Sequence, residues 1–218
     1  MSPIRGLFKS FRKKSDSGGE DDAPRSEGMW VVAGLGNPGG DYSRSRHNAG
    51  HMAIDRIAAS KGIDLNRKRF KGATGEVRFD DTPVMLVKPE TYYNLSGECV
   101  SAILGYFKVP LERLIVVHDE VDLPEGRLQV RKGGGDAGNK GVRSVAASLG
   151  TPDFIRVRIG TGREGRRDEG LDFLLRPLSK AEAQLLEDSI ARAAEAVETI
   201  VREDLTRAMN KFNQRNDR

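Results

Sequence analysis

His47, Asp119, Asn37 and Asn94 have side chains that would make a proton-transfer site if brought together, and each stands where an apolar run gives out. Asn37 and His47 follow VVAGLG, Asn94 follows VMLVKPETYY, and Asp119 closes RLIVVHD. In an open α/β sheet the ligand crevice lies outside the strand ends, so residues just past strands are the ones able to converge. An aspartate accepting from one imidazole nitrogen fixes the tautomer and leaves the other nitrogen free to take a proton from water. Amides beside such a base can hold a carbonyl oxygen as charge builds on it, an effect of about a hundred-fold per donor. Two blander readings stand beside this one: a loop histidine bonded to backbone, and asparagines acting as turn residues next to Pro, Gly or Ser. Thr91, Tyr92, Tyr93 and Asp122 leave the same strand ends, and His118, ending an apolar strand, reads as a packed neighbour of the site.

Other chemistries fit less well. His47 and His51 have the i, i+4 spacing of a zinc pair, but the glutamate of H-E-x-x-H is missing and His47 precedes the helical pattern. His51 then reads as a surface or partly buried helix residue. Cys99 is the one cysteine of 218 residues, which excludes an internal disulfide and a multi-thiolate metal site and fits a reducing compartment. No metal and no cofactor are expected. The glycines at 34, 36 and 39 spell G-x-G-x-x-G, yet the next helical pattern starts near Asn48, about ten residues too late for a dinucleotide turn. Asp55, at the distance of a ribose-binding acid, falls in mid-helix. The second glycine stretch, RKGGGDAGNKGVRS, is not a Walker loop, though its backbone N–H groups can face a phosphate with Arg131, Lys132, Lys140 and Arg143 around them. Together with the run R163-E-G-R-R it reads either as a solvated face or as a nucleic-acid patch.

The elements that must position these residues alternate along the chain. Apolar runs predict strands at 29–34, 75–79, 84–88, 113–119, 127–132 and 154–159, the second and third forming a hairpin that turns at Asp80–Pro83. Helical spacing follows Asn48, Ser96 and Gly138. A last helix opens on a capping box of Ser179 and Glu182 and carries an apolar stripe from Leu185 to about Met209. Alternation with an inserted hairpin predicts one α/β domain, with a mixed, largely parallel twisted sheet flanked by helices and the C-terminal helix partly over the cleft. The 37% hydrophobic content suffices for one core. Residues 1–28, basic and then Ser/Gly/Asp/Glu-rich, read as a disordered extension, 29–210 as the domain and 211–218 as a flexible tail. Apolar runs fall short of a membrane span. The net charge of +4, from 36 basic and 32 acidic residues, is too small by itself to establish nucleic-acid binding.

The stretches GLGNPGGDYSRSRHNAG, KPETYYNLSG, VVHDEVDLPEGRLQVRKGGGDAGNKGVRS and FIRVRIG, in this order and spacing, resemble the bacterial peptidyl-tRNA hydrolases. The resemblance covers about Met29 to Met209. It implies hydrolysis of the ester between a peptide's C-terminus and the tRNA 3′ ribose, freeing tRNA for translation, without metal or cofactor, by a cytoplasmic monomer. By this resemblance His47 is the general base, Asp119 orients it, Asn37 stabilises the oxyanion and Asn94 holds the peptide backbone or the water. Tyr42 packs beside the 3′ end, while Arg131, joined by Arg158, grips tRNA phosphate. Two departures from the family pattern stand out. Asn139 and Lys140 occupy the place of a usual His-Asn, bringing a cation to the substrate side, and Tyr93 replaces a usual methionine, which changes the shape of the peptide cleft.

Overall fold

The computed structural model describes residues 28–40, 45–162, 174–175 and 177–214. These build a seven-stranded sheet in the order β2-β3-β4-β1-β5-β7-β6. Its strands are β1 (Trp30–Gly34), β2 (Arg67–Arg69), β3 (Gly72–Phe79), β4 (Thr82–Pro89), β5 (Leu114–Pro124), β6 (Leu128–Lys132) and β7 (Ile155–Gly162). The central strands β4, β1, β5 and β7 run parallel, whereas β2, β3 and β6 join by antiparallel pairing at the two sides. Parallel strands are buried on both faces, which is why β1 and the first half of β5 read as unbroken apolar runs. On one face, Val32, Leu86, Ile115 and Val157 pack under α1 (Ala49–Ser60), α4 (Lys180–Arg202) and α5 (Leu205–Phe212). On the other, Val31, Ala33, Val87 and Val116 meet Val100, Ile103, Val142 and Val145 of α2 (Ser96–Phe107) and α3 (Lys140–Leu149).

The mixed sheet between helices agrees with the sequence reading, with four differences that have physical reasons. β2 has no counterpart among the expected strands because Arg67, Lys68 and Arg69 are all exposed and charged, as suits a sheet edge, and leave no apolar alternation to read. β5 runs on to Pro124 because β7 keeps pairing with it, Asp119 facing Ile159 and Glu120 facing Gly160 in register; Asp119 therefore lies inside the strand instead of at its end. The single last helix is two: Asp204 accepts from Arg207 N at 2.8 Å and starts α5 afresh, while the apolar stripe continues across the break. Packing also continues beyond residue 210. Phe212 is buried, and the Asn213 side chain accepts from Val130 N at 2.7 Å and donates to Val130 O at 2.9 Å, completing the free edge of β6. Tyr42, residues 1–27, the run 163–167 and residues 215–218 lie outside the described residues.

The junction of β1, β5 and α1 decides where the site sits. Leu35 N donates to Val117 O at 2.9 Å, and Leu35 O accepts from His51 N at 3.2 Å, so a first-turn N–H of α1 is satisfied by the residue leaving β1. So close an approach requires glycines. A Cβ on Gly50 would fall 2.4 Å from both Leu35 N and Val117 O, and one on Gly34 would fall 2.1 Å from Gly50 O. Both neighbours are backbone and cannot swing aside. Gly50→Ala is expected to destabilise the fold by about 3 kcal/mol, the upper range for overpacking a tight contact, measured by urea unfolding; a change under about 0.5 kcal/mol, the size of an ordinary surface substitution, would contradict this docking.

Candidate active site

Docking α1 this way brings the short 3-10 turn Arg46–Asn48 over the end of β5. His47 Nδ1 lies 3.0 Å from Asp119 Oδ2 and 3.1 Å from Oδ1, and both residues are buried. A carboxylate has no hydrogen to give, so the imidazole N–H donates, which assigns the proton to Nδ1 and leaves Nε2 as the acceptor. Asn37 stands beside this pair. Its Oδ1 accepts from Tyr93 N at 3.0 Å, and because a backbone N–H can only donate, the amide oxygen faces Tyr93 and the NH2 points elsewhere. Asn48 fixes the Asn37 backbone from both sides, accepting from its N–H at 2.8 Å and donating to its carbonyl at 2.9 Å.

Arg46 anchors the same turn. It is buried, with Nη2 2.8 Å from Glu125 Oε1 and 2.8 Å from Glu182 Oε1. Glu182 also accepts from Ser179 N at 2.9 Å, so the capping box read from the sequence is present and ties the start of α4 to the turn that carries His47. The C-terminal helix thus reaches the rim of the cleft as expected. The role of Arg46 is not legible in the sequence because both of its partners are far away along the chain.

The remaining candidates divide. Asn94 is exposed on the 3-10 turn Tyr93–Leu95. Tyr93, expected to shape the cleft, is instead buried: its ring stacks on His47 with centroids 3.7 Å apart, and its O–H donates to Asp119 Oδ1 at 2.6 Å. Asn139 also turns inward. Its Oδ1 caps α3 by accepting from Gly141 N and Val142 N, while its Nδ2 donates to Tyr93 Oη at 2.9 Å and to Asp119 O at 3.0 Å. Lys140, next in the chain, is exposed. Arg131 on β6 is half-buried and faces Arg156 in the β6/β7 register. Arg156 is buried and donates to Gly135 O at 2.8 Å and to Gly134 O; burial, then the neighbouring Arg131 and Arg158, lower its pKa. Arg158 is the correction here. Its guanidinium is spent inside the protein, 2.7 Å from Glu120 Oε2 and bonded to Gln129, because Arg158 faces His118 in the β5/β7 register and Glu120 lies two residues further along β5, a diagonal neighbour on the same buried face.

His118 is a packed neighbour, as expected, with Nδ1 2.7 Å from Asp119 O. His51, read as a surface or partly buried helix residue, is buried, since its turn is pressed against Leu35 and Gly36. Among the described residues no three His, Cys, Asp or Glu side chains come close enough to hold a metal ion.

An imidazole oriented by a buried carboxylate, with its second nitrogen unbonded among the described residues and an amide NH2 alongside, can deprotonate water and hold a carbonyl oxygen. On a doubly covered α/β sheet, this is the equipment of a general-base hydrolase. Comparison with known proteins gives the family: the peptidyl-tRNA hydrolase family model matches residues 31–218. The peptidyl-tRNA hydrolase of Bdellovibrio bacteriovorus is 39% identical over 186 residues, covering 85% of this chain and all of that protein. The one from Acidobacterium capsulatum is 44% identical over 191 residues, 86% of this chain and 96% of that protein. The crystal structure of the Acinetobacter baumannii peptidyl-tRNA hydrolase superposes with a TM-score of 0.79 at 32% identity, covering 85% of this chain and 95% of that one. The chain belongs to the peptidyl-tRNA hydrolase family, the aminoacyl-tRNA hydrolases.

Two of the buried histidines, His51 and His118, make the fold acid-sensitive. Burial, foremost, lowers His51 to about 3 and His118 to about 4 from the ordinary 6.5. Between 6.5 and those values the unfolded chain binds a proton that the folded one refuses, so stability is full above 6.5 and declines as pH falls. Urea unfolding from pH 7 to 4.5 should show a loss of about 1.4 kcal/mol per pH unit from each histidine, and His118→Asn should remove one such contribution. An unchanged slope in that variant would refute the assignment.

Proposed function

We propose that this chain cleaves the ester joining a peptidyl group to the 3′ ribose of tRNA with His47 as the general base. The carrying observation is the buried His47–Asp119 contact at 3.0 Å. A water held between Nε2 and the ester carbonyl gives its proton to His47 as its oxygen bonds to the carbonyl carbon; Asp119 stabilises the imidazolium that forms. The developing oxyanion takes the Asn37 NH2, which Tyr93 N and Asn48 hold in place from the other side. On collapse the C–O bond to the ribose breaks, the imidazolium proton passes to the leaving oxygen, and peptide carboxylate and free tRNA result. Asn94, exposed on the turn before α2, holds the peptide backbone or the water.

The tRNA acceptor end lies along the side built by β6 and the start of α3. Arg131 and Lys140 show no ion pair among the described residues, unlike Arg143, whose Nε is 3.0 Å from Asp136. Phosphates therefore meet cations that need not abandon a carboxylate first. The protein acts as a monomer in the cytoplasm, where its buried, free Cys99 stays reduced.

The test is release of free tRNA from an N-acetyl-aminoacyl-tRNA. His47→Ala should lose about two to four decades of turnover, and chelator should leave the wild type unaffected; near-normal turnover in the variant would overturn the base assignment. Substrate affinity should fall steeply with salt, and Arg131→Gln should reduce the slope of log K against log salt by about 1. A flat salt response would point to a small-ester substrate instead.

A further inference from the structure

We propose that Tyr93 is a positioning residue for the reaction, holding the imidazole of His47 and the carboxylate of Asp119 in one fixed geometry through ring stacking and a phenol–carboxylate hydrogen bond. The inference rests on the reading of His47 and Asp119 as base and partner. The Tyr93 ring lies 3.7 Å from the imidazole at an interplanar angle of 25°, so the base cannot tilt out of its plane without losing that contact. Its O–H donates to Asp119 Oδ1 at 2.6 Å while the imidazole N–H takes Oδ2 at 3.0 Å. The imidazole N–H sits astride both carboxylate oxygens, 3.1 Å from Oδ1 as well, and the phenol binds Oδ1 alone, so the two donors together fix rotation about the Asp119 side chain.

The phenol is held in turn. Asn139 Nδ2 donates to its oxygen at 2.9 Å, leaving the phenolic hydrogen to Asp119 alone. Gly141, in the first turn of α3, makes room for the ring: a Cβ there would lie 2.4 Å from Tyr93 Cε1. Tyr93 N is fixed by Asn37 Oδ1, so one residue joins the base, its carboxylate and the amide proposed to hold the oxyanion. Burial, and then the Asp119 charge, push the phenol's ionisation well above its ordinary range, which keeps it a donor across the working pH. The hydroxyl bonds to the carboxylate rather than to the free imidazole nitrogen, so it orients and moves no proton.

The test uses Tyr93→Phe, which keeps the ring and removes the hydrogen bond. The measurements are kcat and KM for tRNA release, the thermal midpoint, and the proton resonance of His47 Nδ1–H. The expected result is a kcat lower by about tenfold, the scale of one hydrogen bond to a charged group, with KM within about twofold. The Nδ1–H resonance should move downfield, because a carboxylate that has lost a donor accepts more strongly from the remaining one. A rise in KM with kcat unchanged would make Tyr93 a substrate-cleft residue and overturn the proposal, as would an unchanged kcat and resonance. Should the Phe variant fail to fold, wild-type sequence carrying 3-fluorotyrosine, a stronger donor of similar shape, must move the same resonance upfield; no movement overturns the proposal. His47→Ala, assayed in parallel, separates the two readings: full activity there refutes the base, whereas the resonance in Tyr93→Phe reports on the positioning itself.

Discussion

A carboxylate that is 1% exposed at the heart of a sheet has to be surrounded by donors, and Asp119 imposes that demand on everything around it. A buried charge without partners costs several kcal/mol, so the elements that end nearby must each deliver an N–H or O–H. His47 arrives from the turn before α1 and Tyr93 from the turn before α2, while Asn139 reaches the Asp119 backbone carbonyl from the cap of α3. The site is therefore the meeting point of three connections, and the side chains that satisfy the carboxylate are the same ones that define the chemistry.

The architecture makes this convergence cheap. Parallel strands β4, β1 and β5 end on the same side; β1 and β4 each connect into a helix, and β5 turns into β6, which leads on to α3. Gly34 and Gly50 let α1 press on the strand ends until the backbone of Leu35 bonds to both Val117 and His51. Arg46 then fastens the turn that carries His47, bridging Glu125 and the capping glutamate of α4. Bidentate, charge-assisted contacts of this kind fix geometry more than they add stability.

The two departures from the family pattern meet in space. Tyr93 and Asn139 are bonded to each other at 2.9 Å, although 46 positions separate them in the chain. Read along the sequence they are independent changes; in the fold they are one polar unit that faces His47 and Asp119. Lys140, the third changed residue, is left outside, where its charge joins Arg131 on the side proposed for tRNA.

The sequence by itself determined the element order, the central parallel strands, the hairpin, the capping box at Ser179, and the pair of His47 and Asp119, because apolar periodicity and strand-end position are local properties. It could not show β2, whose three charged residues carry no periodicity, nor the extension of β5 beyond Asp119 to Pro124, which depends on pairing with β7. It misjudged His51, Arg158 and Tyr93 for one reason. Whether a polar side chain faces water or a buried partner depends on what lies across the sheet, and for Arg158 that is Glu120, 38 positions away, and for Tyr93 it is Asp119, 26 positions away. Residue type and spacing set which groups were available for chemistry, and only tertiary packing decided which of them desolvate each other, since burial and hydrogen-bond partners are fixed by contacts between distant segments.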